Sequence, residues 1–181
     1  MNTSRVRELW AADQPAFCVG NHLTDPSVAE MMAALDFDCI WIDLEHHGTS
    51  VETLAGMCRG ARAGGTSDVM ARPGKGEFMR MSRMLEVGAT GILYPRCDDA
   101  TEAAEVVRWA KFAPLGERGF DGGNADNRFG LAGAPAEYTA AANEQTWVAV
   151  QVESPEAAQH ARAMAEVPGV DMVFFGPADY S

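Results

Sequence analysis

The chain has 181 residues, 47% hydrophobic and 22% charged, an ordinary globular balance with enough length for one sizeable core. Its 26 acidic and 14 basic side chains leave a net charge of -12, which repels phosphate backbones and anionic lipid and so excludes nucleic acid and membrane surfaces as expected partners. No stretch approaches the roughly 18 consecutive apolar residues of a membrane span. The opening M-N-T-S-R-V-R-E-L-W also lacks the apolar core of a secretory signal, which sets the expectation of a cytoplasmic protein.

The first expected strand covers 17–22. Asp25-Pro26 then reads as a helix N-cap with proline at the first helical position. Val28, Met31, Met32 and Leu35 follow the i, i+3, i+4, i+7 spacing of one apolar helix face. A second strand, 39–45, runs into W-I-D-L-E-H-H-G, where Asp43 and Glu45 share one face and Ile42 and Leu44 the other. A third strand, 68–72, is ended by Pro73, which disfavours helix at Arg72. A fourth covers 91–95. Asp99-x-x-Glu102 resembles a capping box with Asp at the cap, and Ala103, Val106, Val107 and Ala110 repeat the helical spacing. The stretch 113–144 breaks the rhythm with P-L-G-E-R-G-F-D-G-G-N-A-D-N-R-F-G and a short helix near 134–143. Its length points to a functional or mobile loop. Its glycines suit an anion-binding nest, or the stretch is a surface excursion or a subunit contact. Strands at 147–153 and 171–175 follow, with Ser154-Pro155 as another cap.

Strand–helix repetition of this kind builds a parallel sheet with helical crossovers. No G-x-G-x-x-G follows the first strand, which counts against a dinucleotide-binding sheet. His46, Arg72, Glu153 and Asp179 stand at the ends of four different strands. A TIM barrel builds its site from that rim, whereas an open α/β sheet concentrates its site at one switch point. The fold expected is α/β, a TIM (β/α)8 barrel forming one domain over 1–181.

Gln151 and Glu153 fall on one strand face, where an amide and a carboxylate could serve a ligand and a metal, or simply form a polar edge. Asp179, after Gly176-Pro177, is either a second carboxylate or a helix cap. Two carboxylates with waters make a hard-oxygen site suited to Mg²⁺ or Mn²⁺, with Co²⁺ a further option. Arg72 offers a planar fork for a carboxylate or a developing enolate oxygen, or a salt bridge to a neighbouring helix; Arg83, Arg96 and Arg118 are other sources of positive charge. His46 stands three residues from Asp43, a spacing that can fix an imidazole tautomer and raise its basicity. Cys18, Cys39, Cys58 and Cys97 form no C-x-x-C pair and read as reduced, buried thiols.

Taken in order, I-D-L-E-H-H-G, M-A-R-P, R-M-L-E-V-G-A-T-G-I-L-Y-P, K-F-A-P-L-G-E-R-G, V-Q-V-E-S and F-G-P-A-D-Y-S resemble the HpcH/HpaI aldolase family of pyruvate/phosphoenolpyruvate-type TIM barrels. The resemblance implies a metal-dependent aldolase that cleaves or forms 4-hydroxy-2-oxo acids through a pyruvate enolate. It implies Glu153 and Asp179 as metal ligands, Gln151 and the backbone of Ala178 as contacts to the pyruvate portion, and Arg72 on the enolate oxygen. It implies His46 as the base, with Glu86 or Asp43 tuning it, and a homo-oligomer in the full-length form. His47 stands where the family commonly has a small residue, and D-G-G-N-A-D departs from the family's loop. Lys75 and Lys111 are the only lysines and neither is expected at a strand-end site, which counts against a Schiff-base aldolase. The same site could instead decarboxylate oxaloacetate or run a citrate-lyase-like or macrophomate-synthase-like reaction. A third reading is an inactive barrel fragment with a binding or assembly role.

An eight-stranded barrel typically needs about 250 residues. The expectation is therefore a barrel truncated after its sixth strand, with two unpaired edges.

Overall fold

The computed structural model describes residues 3–180. α1 (Arg5–Ala11) leads into β1 (Cys18–Asn21), α2 (Pro26–Ala34), β2 (Cys39–Asp43), α3 (Val51–Gly64), β3 (Asp68–Arg72), α4 (Phe78–Glu86), β4 (Gly91–Tyr94), α5 (Ala100–Ala110), α6 (Pro135–Gln145), β5 (Trp147–Val152), α7 (Pro155–Ala165) and β6 (Met172–Phe175). The strands form one parallel sheet in sequence order, a curled half-barrel in which β1 and β6 are the edges. All six expected strands are present, trimmed by one or two residues where their ends leave the ladder. Leu44 N still donates to Arg72 O at 2.8 Å, so pairing of the second strand continues one residue past Asp43.

Period-two alternation divides the apolar side chains into two cores. Ile40, Ile42, Leu44, Val69, Ala71, Ile92, Val148, Val150 and Val152 face outward and pack under the helices. Cys39, Met70, Leu93, Trp147 and Ala149 face inward, joined by the partly buried Trp41, Met172 and Phe174. The inward row then changes character toward the strand ends, where Asp43, Arg72, Gln151 and Glu153 are buried polar groups. At the opposite end Asp68 is almost fully buried. It accepts hydrogen bonds from Ser4 Oγ at 2.5 Å, Arg5 N and Val6 N at 3.2 Å and Trp147 Nε1 at 3.1 Å. Burial pushes its carboxyl pKa up against the pull of those donors. This anchor seats α1 against the inner core.

Asp25, Asp99 and Ser154 cap their helices as expected. The capping box at α5 is only half formed, because Glu102 reaches the backbone N–H of Asp98 at 2.8 Å instead of that of Asp99. The apolar face expected for α2 is corrected. Its buried residues are Ala29 and Ala33, while Met31 is 58% and Leu35 72% exposed. The cause lies on α3. A Cβ at Gly60 would stand 2.2 Å from Pro26 O, and one at Gly64 2.1 Å from Glu30 O. The two backbones touch, so only alanine fits between them; Met31 and Leu35 turn outward, while Met32 still packs against the core, partly buried. Cys39, Cys58 and Cys97 are buried free thiols; Cys18 is exposed, against expectation, because it lies on the edge strand.

Gly60→Ala should therefore destabilise the fold by about 1–3 kcal/mol despite alanine's better helix propensity. Gly48→Ala, where nothing lies within 4 Å of the new Cβ, should move the unfolding midpoint little. Chemical denaturation of both variants checks this, and equal stability would show that α2 and α3 can part without cost.

Candidate active site

The rim is organised by one buried ion pair. Arg72 Nε and Nη2 donate to the two oxygens of Asp43 at 2.8 and 2.7 Å, a bidentate fork linking β3 to β2 at register partners. The side chains are 10% and 4% exposed. The guanidinium also lies over Trp41, 4.9 Å from the ring centroid. Arg72 thus pairs along the sheet and not with a helix. Burial opposes the charged form of Asp43, but the Arg72 hydrogen bonds, the Glu45 backbone N–H and the nearby charges outweigh it and hold the carboxyl below its ordinary value.

Glu45 bridges the next contacts. Its Oε2 sits 3.3 Å from Arg72 Nε and 3.4 Å from His46 Nε2, and it makes no hydrogen bond to either. Burial, reinforced by the charges of Glu153 and Asp43, pushes its carboxyl pKa up against Arg72 and His46. The expected Asp43–His46 pairing is corrected: Asp43 faces His47, with Nε2 3.6 Å from Oδ2, while His46 pairs with Glu45.

Gln151 on β5 and Glu153 just past its end are 3% and 8% exposed, which rules out a solvent-facing edge. Gln151 Nε2 donates to Glu153 Oε1 at 2.9 Å, and the backbone N–H of Arg96 donates to Oε2 at 2.9 Å. Gln151 Oε1 is buried with no hydrogen-bond partner. Gly176 makes this packing possible: a Cβ there would meet Gln151 Nε2 at 2.6 Å and Glu153 Oε1 at 2.8 Å. The glycine lets the chain after β6 pass close to both, and Ala178 and Asp179 follow, exposed. His46, Arg96, Asp98, Glu153, Ser154, Ala157 and Asp179 line one cavity of about 510 Å³.

Among the described residues no three His, Cys, Asp or Glu side chains cluster as a complete metal cage. The donor set on offer is two carboxylates, Glu153 and Asp179, at one cavity beside an unpartnered buried amide oxygen. Such a set fits a hard divalent cation that keeps several water or substrate oxygens.

Glu86 is not brought to His46. It is the last residue of α4, which returns from the rim, and its charged neighbours are Arg118, Asp126, Asp121 and Arg83. Of the other arginines, Arg118 is buried against Asp126 at 2.6 Å, whereas Arg96 lines the cavity. The loop between α5 and α6 is built around that Arg118–Asp126 pair, with the Tyr138 hydroxyl donating to Asp126 and Phe112 under the guanidinium. The N–H groups of Gly123 and Gly130 donate to Asp121 Oδ1 and Asn127 Oδ1 within the loop, so they are not aimed at an anion. Lys75, contrary to expectation, reaches the rim. Its Nζ donates to Arg96 O at 2.5 Å, Asp98 at 2.7 Å and Glu102 at 3.1 Å. Burial works against its charge, but those two carboxylates raise its pKa, the opposite of what an amine nucleophile needs. Lys111 is pushed down to about 8 by burial, but it is enclosed, donating to the carbonyls of Asn143 and Thr146.

The fork gives a pH-dependent expectation. Because Asp43 is held below its ordinary value, its stabilisation is present above roughly 3.9 and is lost as pH falls through the lower, folded-state value. Arg72→Met should cost about 3–5 kcal/mol near neutral pH by leaving Asp43 buried and unpaired. The gap to the parent should close as acid protonates that carboxyl. Unfolding followed across pH checks it; a gap unchanged in acid would place the pair's contribution elsewhere.

The HpcH/HpaI aldolase/citrate lyase family model matches residues 20–181. The hydroxypyruvate/pyruvate aldolase of Delftia acidovorans is 34% identical over 168 residues, covering 93% of this chain and 61% of that protein. The 2-keto-3-deoxy-L-rhamnonate aldolase of Klebsiella pneumoniae is 35% identical over 158 residues, covering 87% of this chain and 58% of its own length. A crystal structure of an HpcH/HpaI aldolase/citrate lyase family protein from Burkholderia cenocepacia superposes with TM-score 0.88 at 32% identity, over 98% of this chain and 70% of that one. The chain spans about 60% of the length of these curated relatives. With the half-barrel and its rim already in view, the match over nearly the whole sequence leaves one assignment: this chain belongs to the HpcH/HpaI aldolase/citrate lyase family.

Proposed function

We propose that this protein is a divalent-metal-dependent aldolase that cleaves or forms 4-hydroxy-2-oxo acids by way of a pyruvate enolate. The observation that carries the reading is the shared cavity, which gathers His46, Glu153 and Asp179 from three different strand ends. The names of the two relatives, one acting on hydroxypyruvate and pyruvate and one on a 2-keto-3-deoxy sugar acid, support the same reaction class.

Glu153 and Asp179 would hold the cation, Mg²⁺ or Mn²⁺ by the hardness of their oxygens. When bound, the cation supplies Lewis-acid stabilisation for negative charge on the 2-oxo oxygen. Gln151, held by Glu153 and leaving one buried amide oxygen free, orients the pyruvate portion together with the backbone at Ala178. Arg72 brings its remaining N–H groups to the developing enolate. In cleavage, His46 accepts the C4 hydroxyl proton, directly or through one water. The C3–C4 bond breaks, its electron pair passes to the enolate, and the C4 oxygen becomes the aldehyde carbonyl. A proton then returns to C3 to give pyruvate. Glu45, with Oε2 3.4 Å from His46 Nε2, would support that base.

Pyruvate release from a 4-hydroxy-2-oxo acid should require added Mg²⁺ or Mn²⁺ and stop with EDTA. Glu153→Ala and Asp179→Ala should each lose at least roughly 100-fold in kcat/KM and weaken Mn²⁺ binding by calorimetry. Full activity in either variant would overturn the metal assignment. His46→Ala should cost about 10²–10⁴-fold in kcat while Mn²⁺ binding persists. Oxaloacetate assayed in parallel separates decarboxylation from aldol cleavage.

A further inference from the structure

A second pair of side chains stands at this rim and takes no part in the chemistry above. His22, just past β1, and His47, in the turn after β2, stack with ring centroids 4.3 Å apart and planes 32° apart. His22 Nε2 comes to 4.0 Å of where a Cβ would stand at Gly20. Val19 packs on the outer core, so Gly20 points inward. The His22 ring therefore leans back toward the inner side of the sheet, while the residue remains exposed. His47 is tied to the fork through Asp43, 3.6 Å from Nε2, and its side chain is still 37% exposed. The pair is thus both positioned and reachable.

Its location follows from the aldolase reading, on which this inference rests. Glu153 and the chain carrying Asp179 come from β5 and β6, the wall assigned to the pyruvate half. His46 serves the C4 hydroxyl, and the substituent on C4 is the former aldehyde's own carbon chain. His47 is the next residue, and His22 lies against it on the β1 side.

The chemistry of the pair selects a ligand. An imidazole presents two ring nitrogens that can donate hydrogen bonds to a neutral polar group or accept them from it. An anionic substituent there would meet Asp43 and Glu45, two carboxylates sharing the single guanidinium of Arg72. A neutral hydroxyl, itself donor and acceptor, meets no such penalty.

We propose that His22 and His47 form the acceptor-side subsite and select aldehydes bearing a hydroxyl on the carbon next to the carbonyl. The test measures kcat/KM for condensation of pyruvate with glycolaldehyde and with acetaldehyde, on the whole protein with Mn²⁺ present. The ratio between the two cancels damage that lowers both. It should favour glycolaldehyde in the parent and fall about five- to tenfold in His47→Ala and in His22→Ala, the factor carried by one neutral hydrogen bond. His47→Gln, which keeps a donor and an acceptor, should retain most of it. Should the alanine variants not fold, His47→Phe and His22→Phe keep the stacked area, lack the hydrogen bond and should lose the ratio equally. An unchanged ratio in these variants, with the parent active, overturns the subsite alone. No metal-dependent condensation by the parent with either aldehyde overturns the aldolase reading, and the subsite with it.

Discussion

Arg72 and Asp43 meet because two adjacent parallel strands place them opposite each other at the last inward position of the barrel wall. Below them the wall is filled with Met70, Trp41, Leu93 and Ala149, apolar side chains that cannot satisfy a lone charge. A buried arginine at that height needs a carboxylate, and a buried aspartate needs donors; the fork answers both with two short bonds. The rest of the rim is arranged around it. Glu45 rests on the same guanidinium, His46 on Glu45, and His47 on Asp43.

That arrangement limits what Arg72 can contribute. With two of its N–H groups committed to Asp43 and Glu45 close by, it acts as a fixed, largely neutralised donor and not as a free positive charge. Glu153 is held in a comparable way, by the Arg96 N–H on one oxygen and Gln151 on the other. Preorganised groups of this kind need little rearrangement when charge develops on a substrate. Gly176 is the backbone counterpart, since any side chain there would push Gln151 and Glu153 out of position.

The strands were legible because each is a short apolar run with polar punctuation, and a period of two fixes which residues face inward. That is why Gln151 could be put on one face with Glu153, and Asp43 with Glu45, from spacing alone, whereas the meeting of Asp43 with Arg72 came only with the strand register. The α2 face was not legible. Val28, Met31, Met32 and Leu35 satisfy helical spacing, but the deciding fact is the absence of side chains at Gly60 and Gly64 on another helix. The place of Glu86 was hidden for a related reason: its rank in a family-like string says nothing of the direction in which its helix runs from the rim. The partners of the two histidines were lost because they depend on the turn after β2, where no periodicity operates. Lys75 was missed because Pro73-Gly74 continues the chain along the rim instead of away from it. The His22 contact had only a histidine just after a strand as its signal.

Charge at the rim bears on which electrophile the site can use. Asp43, Glu45, Asp98, Glu153 and Asp179 face Arg72, Arg96 and Lys75, and two of those three cations are already engaged: Arg72 by Asp43, Lys75 by Asp98 and Glu102. Lys75 is held protonated and so is a poor Schiff-base former. Lys111, whose pKa is low enough, is sealed under the loop between α5 and α6. Neither lysine can serve as the electron sink that breaking a C–C bond beside a ketone requires. The burial-raised carboxyl of Glu45 and the proximity of Glu153 add a further cost that an added cation would relieve. On the aldolase reading proposed above, a divalent ion held by Glu153 and Asp179 would supply that sink, with the arginine fork as a fixed donor at the same rim.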